Sequence, residues 1–148
     1  MERLQHFIAG EFVEGAGQTI VDVNPTNGEP IAEIPVATAE EVDRAVAAAR
    51  KALDAGWERS APAERRKALL RLAQSVAEDA MELGRLATED MGMPLAFTTG
   101  EPFFCAEYLE YFAGWADKLE GSTIPVSQPD VFDYTLKEPV GVVAAIVP

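Results

Sequence analysis

Two residue types that carry much protein chemistry are almost missing: the chain has one cysteine, Cys105, and one histidine, His6. A single cysteine excludes an internal disulfide, and one of each is too few for the common zinc clusters. Basic residues are also scarce, 12 against 25 acidic ones, for a formal net charge of −13. No basic stripe exists to neutralise phosphates, so nucleic-acid binding is not expected, and a surface of this sign disfavours anionic membranes. Long apolar runs are lacking too. The longest, Val140–Pro148, is far short of the ~20 residues a bilayer span needs. The opening Met1-Glu2-Arg3-Leu4-Gln5-His6 has no basic stretch leading into an apolar one, so no secretory signal is visible. These absences point to a cytoplasmic protein without membrane or nucleic-acid partners.

What is present suits a folded chain. Its 148 residues are 48% apolar and 25% charged, a globular composition with enough length for one core. Charge is unevenly spread: residues 1–39 hold six acids and one base, residues 40–90 eleven and nine, and residues 101–148 eight and two. Both ends are therefore acidic and the middle nearly balanced.

Local patterns divide the chain. His6–Val13 reads as a hairpin turning at Ala9-Gly10, and Thr19–Val23 as a β-branched strand. After the Asn24-Pro25-Thr26-Asn27-Gly28 turn, Ile31–Val36 reads as a strand that Pro30 and Pro35 place at a sheet edge. Thr38 and Glu41 fit a capping box for a helix with the stripe Val42, Ala45, Val46, Ala49 and Leu53, ended by Gly56. A second helix opens near Ser60 with Pro62 in its first turn. Its stripe is Leu69, Leu72, Ala73, Val76, Ala80, Leu83 and Ala87, with a bend near Glu78-Asp79 and a stop at Gly92 and Pro94. A third is predicted from about Pro102 to Leu119, burying Cys105, Tyr108, Leu109, Phe112, Trp115, Ala116 and Leu119. Charges around Glu64-Arg65-Arg66-Lys67 read as a solvated helix face with i,i+4 pairs.

The last segment is the most informative. Phe132, Tyr134 and Leu136 alternate with Asp133, Thr135 and Lys137, a strand with one apolar face. Beyond Glu138-Pro139-Val140-Gly141, the run Val142–Val147 is apolar throughout, the pattern of a strand buried on both faces of a parallel sheet. No crossover helix or parallel neighbour follows it, so the chain is expected to be truncated.

Six stretches, in order, carry a resemblance: Phe7-Ile8-Ala9-Gly10-Glu11-Phe12-Val13, Asn24-Pro25-Thr26-Asn27-Gly28-Glu29, Val42–Arg50, Pro62-Ala63-Glu64-Arg65, Tyr111–Lys118 and Tyr134–Val143. Together they resemble the N-terminal part of NAD(P)-dependent aldehyde dehydrogenases over nearly the whole chain. The fold this implies is α/β: a small β unit, three amphipathic helices, an oligomerisation strand and the first Rossmann-type strand. Residues 1–130 would belong to the cofactor-binding domain, 131–143 to the oligomerisation strand and 144–148 to the first Rossmann-like strand. The implied activity is oxidation of aldehydes to carboxylic acids with NAD or NADP, in a homo-oligomer, either dimer or tetramer. In that family a cysteine attacks the aldehyde, a glutamate activates water, and an asparagine just after the proline matching Pro148 steadies the oxyanion. All would lie downstream, so no residue of this chain is assigned a catalytic role and the chain alone is expected to be inactive and to bind no cofactor. The alternative is a non-catalytic interaction module that pairs by strand addition with a full-length homologue.

The resemblance also implies positions. Ile146, Val147 and Pro148 match residues against the adenosine side of the dinucleotide. Glu101 and Phe104 match the mouth of the substrate tunnel. Asp22, Val23 and Asp90 match a monovalent-cation site formed largely by backbone carbonyls. The chain departs from the family after Asp90, reading Met91-Gly92-Met93-Pro94 where a polar residue and lysine are more usual. Phe132, Tyr134 and Leu136 match the oligomerisation strand. Cys105 is expected in the core and His6 on the surface.

Overall fold

Short β-branched and aromatic runs broken by glycine open the chain, and they form strands. The computed structural model describes residues 1–147. Its strands β1 (Glu2–Arg3), β2 (His6–Ile8), β3 (Glu11–Val13), β4 (Thr19–Val23) and β5 (Pro30–Pro35) come first. The antiparallel hairpin β2–β3 sets Phe7 opposite Phe12, their ring centroids 5.1 Å apart. Its turn takes positive φ at both central residues, 58° at Ala9 and 88° at Gly10, which matches the twist of the flanking strands.

The main sheet has the order β1-β5-β4, with β1 parallel and β4 antiparallel to β5. This corrects the edge placement predicted for β5. Pro30 and Pro35 are the first and last residues of that strand, so the residues between them keep their N–H donors for both neighbours.

Helix α1 (Ala39–Asp54) begins with the expected capping box: the Glu41 backbone N–H donates to Thr38 Oγ1 at 3.3 Å and the Thr38 backbone N–H to Glu41 Oε2 at 2.8 Å. Its apolar stripe is largely open, with Val42 and Val46 about half exposed. A 3₁₀ turn (Trp57–Arg59) leads to α2 (Pro62–Glu78) and α3 (Ala80–Met91), which break at Asp79 where the bend was expected. Gly92 closes α3 at φ 72°. A short helix α4 (Leu95–Thr98), not foreseen, precedes α5 (Glu101–Ala113). That helix ends six residues before the predicted Leu119, because the backbone tightens into turns from Gly114.

The core is built from small residues. Helix α5 packs along α2, and the buried apolar side chains are Ala32, Ala73, Ala80, Ala106, Ala113 and Ala116. Methyl groups let the helix axes approach closely. The face predicted for α5 is therefore only partly buried: Ala116 lies in the core and Leu109 is half-buried, as expected, but its other members are not. Pro102, Ala106 and Ala113 turn inward, whereas Cys105, Tyr108, Phe112, Trp115 and Leu119 remain exposed.

Strands β6 (Thr123–Ile124) and β7 (Asp133–Tyr134) form an antiparallel ribbon, shorter than the predicted run from Phe132 to Leu136. Residues 141–147 form no strand, and Ile146 and Val147 are 97% and 77% exposed. A strand buried on both faces needs neighbours on both sides, and none of the described residues supplies them. The accessible surface totals 11519 Å². A compact monomer of 16.0 kDa exposes ~7,400 Å², so this chain exposes roughly half as much again.

Candidate functional site

The end of α3 closes against the turn after β4. A Cβ on Gly92 would stand 2.8 Å from Pro25 Cγ, so only glycine admits this approach. Beside it lies a cleft of about 340 Å³, with Leu4, Ile31, Ala32, Ile34, Leu86 and Ala87 among its walls and Glu2, Asp22, Glu89 and Asp90 as its acidic members. Asp22 and Asp90, 68 positions apart, are thus brought to one cleft. The β4–β5 register shifts between Asp22 and Val23, an irregularity of the kind that frees backbone groups from the ladder. Carboxylate and carbonyl oxygens suit a hard cation. Among the described residues, no three His, Cys, Asp or Glu side chains cluster as metal ligands. Glu89 is already engaged, accepting from Arg85 at 2.5 Å.

A second feature is the outer face of α5. Glu101 and Phe104 lie in its first turn, both exposed, Phe104 at 65%. Tyr108 and Phe112 follow at helical spacing and extend an apolar face from Phe104. The face continues through Tyr111 to Trp115, whose rings lie 6.3 Å apart. Cys105 is exposed beside it, not in the core as its apolar neighbours suggested. The alanines one and eight positions later take the contact with α2 instead.

Behind α5, Thr98 is almost fully buried. Its hydroxyl pairs with that of Thr88 at 2.7 Å and also donates to the Leu95 carbonyl at 3.3 Å. This fixes α4 against α3 and sets the start of α5.

The ribbon carries the residues matched to oligomerisation. Phe132, Tyr134 and Leu136 are 75%, 53% and 70% exposed, and the rings of Phe132 and Tyr134 lie 5.6 Å apart. The Thr135 N–H donates to the Ser122 carbonyl at 2.9 Å, and the Ser122 N–H donates to Thr135 Oγ1 at 2.8 Å. Of the three residues matched to the dinucleotide, Ile146 and Val147 are exposed and Pro148 lies outside the described residues.

One cluster escaped the sequence reading. His6 is only 21% exposed in its side chain, not a free surface residue, and its Nε2 stands 4.0 Å from Glu41 Oε2. Glu41 is buried, and its carboxylate accepts from the backbone N–H groups of Thr38 and Ala16. These donors, Thr38 first, hold its carboxyl down at about 2. Nothing in the local sequence pairs residue 6 with residue 41; the sheet brings them together.

Strands ahead of helices, an acidic cleft at their junction and an uncovered aromatic helix describe a mixed α/β chain with broad unpartnered faces. Residues 12–148 match the aldehyde dehydrogenase family, and the chain belongs to that family. It is 44% identical over 149 residues to (Z)-2-((N-methylformamido)methylene)-5-hydroxybutyrolactone dehydrogenase of Acinetobacter baylyi, covering 100% of this chain and 30% of that protein. Glutarate-semialdehyde dehydrogenase of Pseudomonas putida is 41% identical over 147 residues, 99% of this chain and 30% of its own length. Aldehyde dehydrogenase from Bacillus cereus superposes with a TM-score of 0.87 at 36% identity, over 93% of this chain and 28% of that one. Betaine aldehyde dehydrogenase from Staphylococcus aureus, solved in complex with NAD+, gives 0.85 at 35% identity over the same shares. The chain thus spans about 30% of the length of the curated relatives it matches. No helix among the described residues is long and apolar enough to cross a membrane.

Proposed function

We propose that this chain is the N-terminal part of a cytoplasmic enzyme that oxidises an aldehyde to its carboxylic acid, using NAD or NADP. One observation carries the reading: a family match over residues 12–148 in a chain whose surface far exceeds that of a compact monomer. The exposed faces are then seats for further protein. Residues 1–130 belong to the cofactor-binding domain, 131–143 to an oligomerisation strand, and 144–148 to the start of the first Rossmann-like strand. Glu101 and Phe104 border the approach of the aldehyde, where an aromatic wall favours apolar substrates by burial. Ile146, Val147 and Pro148 correspond to positions against the adenosine half of the dinucleotide, whose nicotinamide accepts hydride when bound. Asp22, Val23 and Asp90 hold a monovalent cation beside this unit. Phe132, Tyr134 and Leu136 pair with another subunit in a dimer or tetramer.

No residue here is assigned to the chemical step. Cys105 lies on an exposed helix, and the one histidine is held beside Glu41 in another part of the chain. The purified chain is therefore expected to produce no NADH from aldehydes. The direct test is a chimera in which this chain replaces the matching segment of the Bacillus cereus aldehyde dehydrogenase. NADH production by the folded chimera is expected, and a folded but inactive one would overturn the reading. A second reading, a non-catalytic module that adds a strand to a full-length homologue, draws on the exposed ribbon edge at β7. It predicts co-purification of this chain with an intact homologue.

A further inference from the structure

Where α1 ends, Gly56 at φ 115° turns the chain into the 3₁₀ turn, and a groove of about 860 Å³ opens between that turn and α2. Trp57, Arg59, Lys67 and Arg71 line it, together with Ser60 and Glu64. Three cations thus gather at one place in a chain with only 12 basic residues and a net charge of −13. Lys67 and Arg71 stand four apart on α2 and share a face. Neither pairs with a carboxylate among the described residues, where the ion pairs are His6–Glu41, Arg59–Glu58, Arg85 with Glu82 and Glu89, and Lys118–Asp117. The i,i+4 pairs expected around Glu64–Lys67 are therefore not made. Glu64 instead accepts from the Ala61 backbone N–H at 3.1 Å, capping the helix. Glu58 accepts from Arg59 Nε at 3.1 Å.

The indole completes the wall. Trp57 is 52% exposed, and its backbone is pinned by Ser60, whose hydroxyl donates to the Trp57 carbonyl at 2.7 Å. A guanidinium fork and an ammonium point charge one turn apart suit the several oxygens of a phosphate group. With Glu64 in its wall and Glu58 on Arg59, the groove still carries more positive than negative charge, which draws small anions.

We propose that this groove binds a small diphosphate-bearing anion, held by Lys67 and Arg71, with Arg59 turning from Glu58 to join them and Trp57 as the flat wall. The site lies within the span read as the cofactor-binding domain but on other elements than Ile146, Val147 and Pro148, and its test does not depend on dehydrogenase activity.

The test is calorimetric titration of the 148-residue chain with sodium pyrophosphate, at ionic strength held constant with sodium chloride. Saturable one-to-one binding is expected. The double substitution Lys67→Gln with Arg71→Gln should weaken it about tenfold or more, the loss of two charge-assisted contacts. The charge-conserving pair Lys67→Arg with Arg71→Lys should keep binding, as should Arg44→Gln with Arg50→Gln, which removes two charges elsewhere. Absence of saturation, or equal weakening by both glutamine pairs, overturns the site. ADP in place of pyrophosphate separates the sources. Tighter binding that Trp57→Leu abolishes assigns a nucleotide, and equal binding assigns the bare diphosphate group.

Discussion

Glu41 accepts the backbone N–H of Ala16 at 3.0 Å, tying the first turn of α1 to a loop 25 residues upstream. The same carboxylate accepts from the backbone N–H of Thr38 at 2.8 Å and from its hydroxyl at 2.9 Å. Its carboxyl is held at about 2, below the ordinary 4.5. A depressed folded value stabilises fully above pH 4.5, and that contribution is lost as pH falls toward 2. Glu41→Gln should therefore lower the melting temperature at pH 7, and the gap from wild type should close across that acid window. Thermal melts by circular dichroism at several pH values measure it. A gap independent of pH would contradict the assignment.

Thr38 supplies the other half of the cap. Replacing it with alanine removes the acceptor for the Glu41 N–H and the hydroxyl donor to the carboxylate. The expected loss is about 1 kcal/mol, typical of a helix N-cap. Urea denaturation, with the slope unchanged, would show it as a lower midpoint.

Gly84 tests the packing of α3 on α4. Its missing side chain leaves room for the backbone of Thr99, whose Cα and N would lie 2.7 Å from an added Cβ. Gly84→Ala gains about 1 kcal/mol of helix propensity, but forcing backbone apart costs about 1–3 kcal/mol. Steric cost wins because the obstructing atoms are backbone and cannot swing away. The substitution should destabilise, whereas Gly→Ala at an open helical site would stabilise. An unchanged or higher urea midpoint would refute the close approach.

Asp22 and Asp90 line one cleft, and a cation held there should stabilise the chain by mass action. Potassium or sodium chloride is expected to raise the melting temperature more than tetramethylammonium chloride at equal ionic strength. Asp22→Asn with Asp90→Asn should remove that difference. Equal effects of all three salts on the wild-type chain would count against the site.

The ribbon residues predict association. Phe132, Tyr134 and Leu136 are each more than half exposed. Changing all three to serine should weaken self-association at least about tenfold, since buried side chains of this size contribute about 1.5–3 kcal/mol apiece. Sedimentation velocity across a concentration series reads this directly. A wild-type chain that stays monomeric at high concentration would defeat the assignment.

Much of the local architecture could be read from residue order. The hairpin at Ala9-Gly10, the Thr38–Glu41 box, the break at Asp79 and the stop at Gly92 are all short-range signals. Each depends on backbone chemistry within a few residues, so the sequence carries it without help from the fold. The ordered motifs likewise pointed to the aldehyde dehydrogenase family, as the match over residues 12–148 bears out.

Facing and partnership were not legible in that way. Periodicity marked an apolar stripe on α5, but packing against α2 chose the face of Ala106 and Ala113 and left Cys105, Tyr108 and Phe112 outside. Composition cannot say which of two apolar faces fits a neighbour, since that depends on how closely two helices approach. The prolines of β5 suggested an edge, yet the strand is central, because only its terminal residues lack donors. Asp22 and Asp90 in one cleft, and His6 beside Glu41, are consequences of the sheet and helices closing on each other. By itself the sequence determined the first hairpin, the main helices with the Thr38 cap and the Gly92 stop, and the family, but not α4 or the fate of the Val142–Val147 run. The tertiary structure decided which surfaces are buried, because burial is a property of pairs of elements and not of any one of them.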